Sequence, residues 1–319
     1  CASVSPFNDG TIHINSLAVI GNVVFQGGDG IIFRMTQGQT QNITCGSGFC
    51  VVTATSHETN KVYALCRDDN TNNPDQVTFC KWDTTSATAL GTWTHTYGGG
   101  SGPGNLEARG IVAIAANKVV TIKKNRFQKI TLNSGSSTSQ TNNDNMMSDT
   151  SDLSAALDGS RVAFLNGNLI YVYDTSTWTS AVSMTVNDIS KNTLKISLDG
   201  QYIMYATYDT NTYQHTVVKR QISNFNSVSC QTSGSGCVKA LSFAEDGSKV
   251  YFSHETKKLS SLPNTCGSAT ALDDTTEQVV QLVTPLDSAP PPTPSPTPSP
   301  TLAPTLAPTL APTLAPTLA

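Results

Sequence analysis

The residues of this chain with chemistry to offer are eight cysteines, five histidines and a C-terminal run of threonines, serines and prolines. The cysteines are even in number and fall in an orderly way, which suits structural disulfides in an oxidising compartment. Cys45 and Cys50 flank Gly46-Ser47-Gly48-Phe49, and Cys230 and Cys237 enclose another Gly-Ser-Gly segment, so each couple is expected to bridge locally. Cys66 and Cys80 lie in successive apolar runs and are expected to face each other across a hairpin. Cys1 and Cys266 remain, and a bond over so long a loop would stabilise by ~4 to 5 kcal/mol in the chain-entropy model. In a rival reading Cys1 is the acylated first residue of a bacterial lipoprotein, which leaves seven thiols. Zinc would want converging pairs at C-x2-C spacing, and the chain has none.

Catalysis finds little footing. His13, His57, His95, His215 and His254 are scattered along the chain. Ser56-His57-Glu58-Thr59 echoes Ser253-His254-Glu255-Thr256, but at places that do not correspond within the repeat described next. There is no Gly-x-Ser-x-Gly elbow, His-Glu-x-x-His helix or Rossmann glycine pattern. The glycine-rich segment from Tyr97 to Gly104 lacks the Gly-Lys-Ser/Thr end of a phosphate loop. Oxygen ligands collect at Asp68, Asp69, Asn70, Asn72 and Asp75, without the alternating pattern and central glycine of an EF-hand. The expectation is a protein that is not an enzyme and carries no cofactor or metal.

The elements that must position these residues are short strands. From Leu153 to Tyr173 (LSAALDGSRVAFLNGNLIYVY) three apolar runs are broken by Asp158-Gly159 and by Asn166-Gly167-Asn168, the signature of a small antiparallel meander. Such a unit cannot bury both of its faces alone, so recurring copies should pack around a common axis. They do recur. The second run opens at Val23, Val62, Val119, Val162, Ile203 and Val250, at intervals of 39, 57, 43, 41 and 47 residues. The period, with Leu157-Asp158-Gly159, Leu198-Asp199-Gly200 and Glu245-Asp246-Gly247 at the first turn, resembles the WD40-like and YVTN-like repeats of β-propellers. The resemblance implies an all-β fold of six four-stranded antiparallel blades over residues 1–284. It implies nothing about activity, although some six-bladed enzymes hold calcium in the axial channel.

Composition narrows the partners. Charged residues are 13% of the chain and the net charge is −4, against the clustered cations that nucleic acid demands. The one basic segment, Lys118 to Lys129, reads as a hairpin whose turn is Lys123-Lys124-Asn125-Arg126. No apolar run is long enough to span a membrane. A start at Cys1 rather than Met suggests a mature end left by a removed targeting segment. Asn42-Ile43-Thr44 is the only N-glycosylation sequon, so Asn42 is the expected N-glycan site of a secreted protein.

Composition changes abruptly at Pro285. Residues 285–319 hold twelve of the sixteen prolines, ending in repeated Thr-Leu-Ala-Pro. Proline fixes φ and biases its predecessor toward extended backbone, so a polyproline II tail is expected, with thirty residues reaching roughly 90 Å. A four-residue repeat on a helix of ~3 residues per turn winds its threonines over every side. The Ser-Pro and Thr-Pro stretch resembles hydroxyproline-rich cell-wall glycoproteins, and the tetrapeptide array is similar to repeat glycofibrils of aquatic microbes. That resemblance implies hydroxylation and O-glycans at Thr293, Pro294, Ser295, Pro296, Thr297, Pro298, Ser299, Pro300, Thr301, Pro304, Thr305, Pro308, Thr309, Pro312, Thr313 and Pro316. A plain linker is the other reading of such a tail. Together these features imply a secreted subunit of a glycosylated filament, wall or matrix, assembling with identical copies. The alternative is a propeller that binds a glycan or protein on a glycosylated stalk.

Overall fold

In this computed structural model the described residues are 16–274, apart from loop segments of which the longest are 68–75, 97–107 and 142–149. They form six four-stranded antiparallel sheets, each with its strands in chain order. Blade 1 is β1 (Ser16–Ile20), β2 (Val23–Gly27), β3 (Ile32–Thr36) and β4 (Gln39–Ile43). Blade 2 is β5 (Cys50–Thr55), β6 (Lys61–Arg67), β7 (Gln76–Asp83) and β8 (Ala89–Thr96). Blade 3 is β9 (Ala108–Ala115), β10 (Lys118–Lys123), β11 (Arg126–Asn133) and β12 (Ser136–Thr141). Blade 4 is β13 (Thr150–Ala155), β14 (Arg161–Asn166), β15 (Leu169–Asp174) and β16 (Ser180–Thr185). Blade 5 is β17 (Lys195–Ile196), β18 (Tyr202–Asp209), β19 (Gln214–Gln221) and β20 (Val228–Ser235). Blade 6 is β21 (Val238–Phe243), β22 (Lys249–His254), β23 (Lys258–Pro263) and β24 (Thr270–Asp274).

The first strands of successive blades touch one another and so line the axis, which makes the fourth strands the rim. Each residue that marked the repeat in the sequence, from Val23 to Val250, lies in the second strand of its blade. Second and third strands are sandwiched between neighbouring blades, and that is why they read as near-continuous apolar runs. In β14 the residues from Val162 to Asn166 are all buried. Five apolar clusters fill the seams from blade 1 through blade 6. Between blades 3 and 4, Val120 and Ile122 meet Val162 and Phe164, whose ring stacks on Tyr171 at 5.3 Å and on Tyr173 at 5.8 Å.

The Asp-Gly turns repeat in atomic detail. Asp158, Asp199 and Asp246 each accept a hydrogen bond at Oδ1 from the amide two residues on. Gly159, Gly200 and Gly247 each donate to the carbonyl three residues back, with φ of +69°, +67° and +67°. These turns lie at one end of the propeller, and that of blade 4 keys into blade 5. Leu157 N–H donates to the Leu198 carbonyl at 2.9 Å, and the Arg161 guanidinium to the Gly200 carbonyl at 2.6 Å.

Two expectations fail. The stretch from Asn133 to Ser151 reads as a polar loop without periodicity, yet β12 runs through it, paired with β11 from Gln128↔Thr141 to Asn133↔Ser136. A rim strand has a pairing partner on one edge only and little core to face, so hydroxyl residues suffice and no apolar alternation marks it. The second concerns disulfides and is taken up below. The tail, Cys1, Cys266 and the acidic loop 68–75 lie outside the described residues.

Gly159 shows how tightly the turns are keyed. A Cβ there would come 2.0 Å from the Ile114 carbonyl oxygen and 2.8 Å from His57 Nε2, whereas one at Gly167, also left-handed at φ +57°, would meet nothing. Gly167→Ala is expected to cost about 1 to 2 kcal/mol, the left-handed penalty alone. Gly159→Ala adds overpacking against backbone and is expected to cost about 3 kcal/mol or more. Denaturant midpoints of the two variants check this.

Candidate functional site

The expected site residues divide into staples, an exposed sequon and two polar constellations. Cys50 was expected to bond Cys45, and Cys66 to bond Cys80. The structure instead pairs Cys50 with Cys66 and Cys45 with Cys80. Strand register explains the exchange. Cys50 lies directly opposite Cys66 in the β5–β6 ladder, with Cα atoms 4.1 Å apart. Cys80 is opposite Ala64, a diagonal step from Cys66, and Cys45 reaches it from the crossover out of blade 1. The two loops span 16 and 35 residues, worth about 3 and about 4 kcal/mol in the chain-entropy model. Cys237 is also disulfide-bonded. Its expected partner Cys230 lies in β20, in a position whose side chain is outside the described set. Such bonds place the protein in an extracellular or secreted setting.

Asn42 is exposed on rim strand β4, and Thr44, just past the end of that strand, is exposed too. The rim strands of blades 1 to 5 lack charge, β8 (ALGTWTHT) among them, whereas β24 of blade 6 ends in Asp273 and Asp274. The sequences QTQNI, SSTSQT, SAVSMT and VSCQTSGS of β4, β12, β16 and β20 contain no Asp, Glu, Lys or Arg.

At the seam of blades 2 and 3 a polar network closes the same end of the propeller as the Asp-Gly turns. Glu58, in the β5–β6 turn, accepts from Lys81 Nζ and from the Tyr63 hydroxyl. Lys81 also donates to Asn117 Oδ1 at 2.9 Å, and the Asn117 amide donates to the Tyr63 oxygen at 2.9 Å. Asn117 holds φ +54° at the β9–β10 turn, which aims both its amide and its side chain at blade 2. Burial pushes the Glu58 pKa up, but bonds from Lys81 and Tyr63 and the lysine charge outweigh it, so the carboxyl lies below its usual value. The Tyr63 hydroxyl is pushed up by burial and by the Glu58 carboxylate. The neighbouring pair Lys61–Asp83 holds Asp83 at about 2.

At the seam of blades 5 and 6 a cleft of about 320 Å³ opens. His215 Nδ1–H donates to the Gly236 carbonyl at 2.9 Å, and His254 Nε2 meets Ser260 Oγ at 3.0 Å. The two imidazoles cross edge-on with centroids 5.0 Å apart, and Phe252 lies 5.0 Å from His254. Sequence reasoning missed this constellation, because its histidines sit in different blades. The Ser-His-Glu-Thr echo is resolved too: His57 is in the first turn of blade 2 and His254 ends the second strand of blade 6. Among the described residues no three His, Cys, Asp or Glu side chains converge as a metal site, and no helix is long and apolar enough to cross a membrane.

No family model matches the chain, and no curated protein matches it in sequence. Solved structures do. The β-propeller domain of Cps50 (Swd1) from Myceliophteria thermophila superposes with a TM-score of 0.64 at 10% identity, covering 86% of this chain and 92% of that one. A chain of the mitotic checkpoint complex gives 0.61 at 12% identity, covering 85% and 80%. The protein is a six-bladed β-propeller with WD40-like neighbours. At such identities the likeness concerns the propeller fold alone.

Two outcomes follow for this propeller. Removing the Lys81 ammonium as Lys81→Met leaves Glu58 facing Tyr63 and Asn117 without its cation, and should cost about 1.5 to 3 kcal/mol. Glu58→Gln combined with Lys81→Met should cost less than the sum of the single changes, as measured by a thermal double-mutant cycle.

The second concerns acid. Burial lowers the pKa of His57, His95 and His215 below the ordinary 6.5. Their neutral forms favour the folded propeller above pH 6.5, and that contribution is lost as the unfolded chain takes up protons below it. The depressed carboxyls of Glu58 and Asp83 act only at lower pH. The melting temperature should therefore start to fall between pH 7 and 5.5, and a His57→Gln/His95→Gln/His215→Gln variant should flatten that first stage.

Proposed function

We propose that this propeller is a non-catalytic structural subunit of an extracellular assembly, in which copies meet through their rims and the C-terminal array is a glycosylated rod. The observation that carries the reading is the absence of charge from the rim strands of blades 1 to 5. An open strand edge is a template for pairing with another chain, and soluble proteins ordinarily blunt it with lysine or proline. The rim sequences of blades 1, 3, 4 and 5 hold hydroxyl, amide and small or apolar residues instead. Such edges can accept a neighbouring strand, or lie under sugar. The disulfides support the extracellular setting, and twelve prolines after position 284 support a stiff tail. On this reading Asn42 carries an N-glycan at the edge of blade 1, and the Thr, Ser and Pro positions from 293 to 316 carry hydroxyl groups and O-glycans.

Lysine placed on exposed rim positions tests the assembly. Gln41→Lys with Gln231→Lys should leave the melting temperature within a few degrees while abolishing filaments seen by electron microscopy of the purified full chain. Wild-type material that stays as dispersed monomers would defeat the proposal. Mass spectra of the tail peptides should show mass added at the Thr-Pro and Thr-Leu-Ala-Pro units, and bare peptides would remove the rod.

A further inference from the structure

The seam between blades 5 and 6 is apolar along most of its length, with Val217, Val250 and Phe252 among its members. In a strand, alternate residues share a face. The next positions of that face are His215, two before Val217, and His254, two beyond Phe252. Where the pattern reserves a core side chain, the chain places two imidazoles, one of them 2% exposed. A local break in an otherwise consistent pattern is where function is expected.

The lining states what could enter. Besides the histidines and Phe252 it offers Thr232, Ser235 and Ser260, with no Asp, Glu, Lys or Arg among the lining residues. Among the described lining residues a charged guest would find no carboxylate, ammonium or guanidinium to pair with, and desolvating it would go uncompensated. Because the Gly236 carbonyl can only accept, His215 Nδ1 carries the proton and Nε2 of the neutral ring is an acceptor. The cleft thus combines hydroxyl donors and acceptors, an imidazole acceptor and an aromatic ring, at the small end of the usual range for ligand sites. That set matches a ring bearing hydroxyls on its edge and C–H groups on its face. Room for the His215 ring depends on Gly234 opposite it, where a Cβ would come 2.8 Å from the imidazole.

A second, independent observation lies at the turn entering β19. Tyr213 is 69% exposed and holds φ +56°, a conformation that bulky side chains rarely adopt and that glycine takes without strain. Its carbonyl accepts from the Gly236 amide at 3.0 Å, and the Gly236 carbonyl accepts from His215. The strained tyrosine and the buried histidine are therefore tied to one glycine. Tyrosine supplies a wide, rigid, amphipathic contact face at small entropic cost.

We propose that the cleft between blades 5 and 6, built from His215, His254, Phe252 and Ser260 with Tyr213 at the adjoining turn, binds a neutral pyranose. The site does not depend on the tail being glycosylated or on rim-to-rim assembly.

The test is saturation-transfer NMR on the full chain with the methyl glycosides of glucose, galactose, mannose and N-acetylglucosamine, and with glucuronate as the charged control. At least one neutral glycoside should receive transfer, and glucuronate should receive less. Tyr213→Gly relieves the left-handed strain, so it should keep or raise the melting temperature while reducing transfer at least fivefold. His254→Phe restores the apolar pattern of the seam and should do the same without unfolding the blade. Adding the best glycoside to assembled material separates two sources of the sugar: release of copies assigns it to a neighbour's glycan, and intact assemblies assign it to a soluble saccharide. No transfer to any neutral glycoside, or equal transfer in both folded variants, overturns the proposal.

Discussion

Everything in this molecule depends on blades hiding one another's faces. A four-stranded sheet of six-residue strands has two apolar faces and no means of covering either. Val162, Phe164, Leu165 and Ile170 would all be wet in an isolated blade 4; in the propeller each is at most 2% exposed. The seams are therefore the core, distributed around an axis instead of gathered at a centre. Blade order in the chain equals blade order in space, so the five seams from blade 1 to blade 6 are made by sequence neighbours and can form as the chain proceeds.

Apolar packing alone sets no single register between blades, and three of the described seams carry a polar key. Between blades 1 and 2 the Cys50 amide donates to the Gly28 carbonyl and Arg34 to the Thr84 carbonyl. Between blades 2 and 3 the key is Glu58 with Lys81, Tyr63 and Asn117. Between blades 4 and 5 the Asp152 carboxylate accepts from the Thr193 and Leu194 amides at 3.0 and 3.1 Å. Buried polar groups are costly when half satisfied and fix one arrangement when fully satisfied. The seam of blades 5 and 6 differs: its polar groups surround a space instead of filling it.

The sequence makes some of this plain and hides the rest, for physical reasons. Asp-Gly turns and second strands were legible because a left-handed turn needs glycine and a two-faced burial needs an unbroken apolar run. β12 was not, since an outer strand bears no burial signal, and Gln, Ser and Thr there look the same as loop. Cysteine partners are misjudged because spacing says nothing of register: Cys50 lies directly opposite Cys66 in the β5–β6 ladder, while Cys80 is two residues out of step with Cys66 in the β6–β7 ladder. The paired histidines were invisible for a related reason. His215 and His254 become neighbours only once blade 6 is laid against blade 5, and neither belongs to a motif.

The two described staples both lie within the first eighty-three residues, where they cross-link blade 2 to itself and to the crossover from blade 1. At the other end of the described chain, Cys237, just before β21, is disulfide-bonded as well. The last described strand, β24, has five residues and a single pairing neighbour, so it is the edge most easily frayed. Fraying inward from that edge would meet a covalent stop at the entrance to β21 before it reached the neighbouring blade.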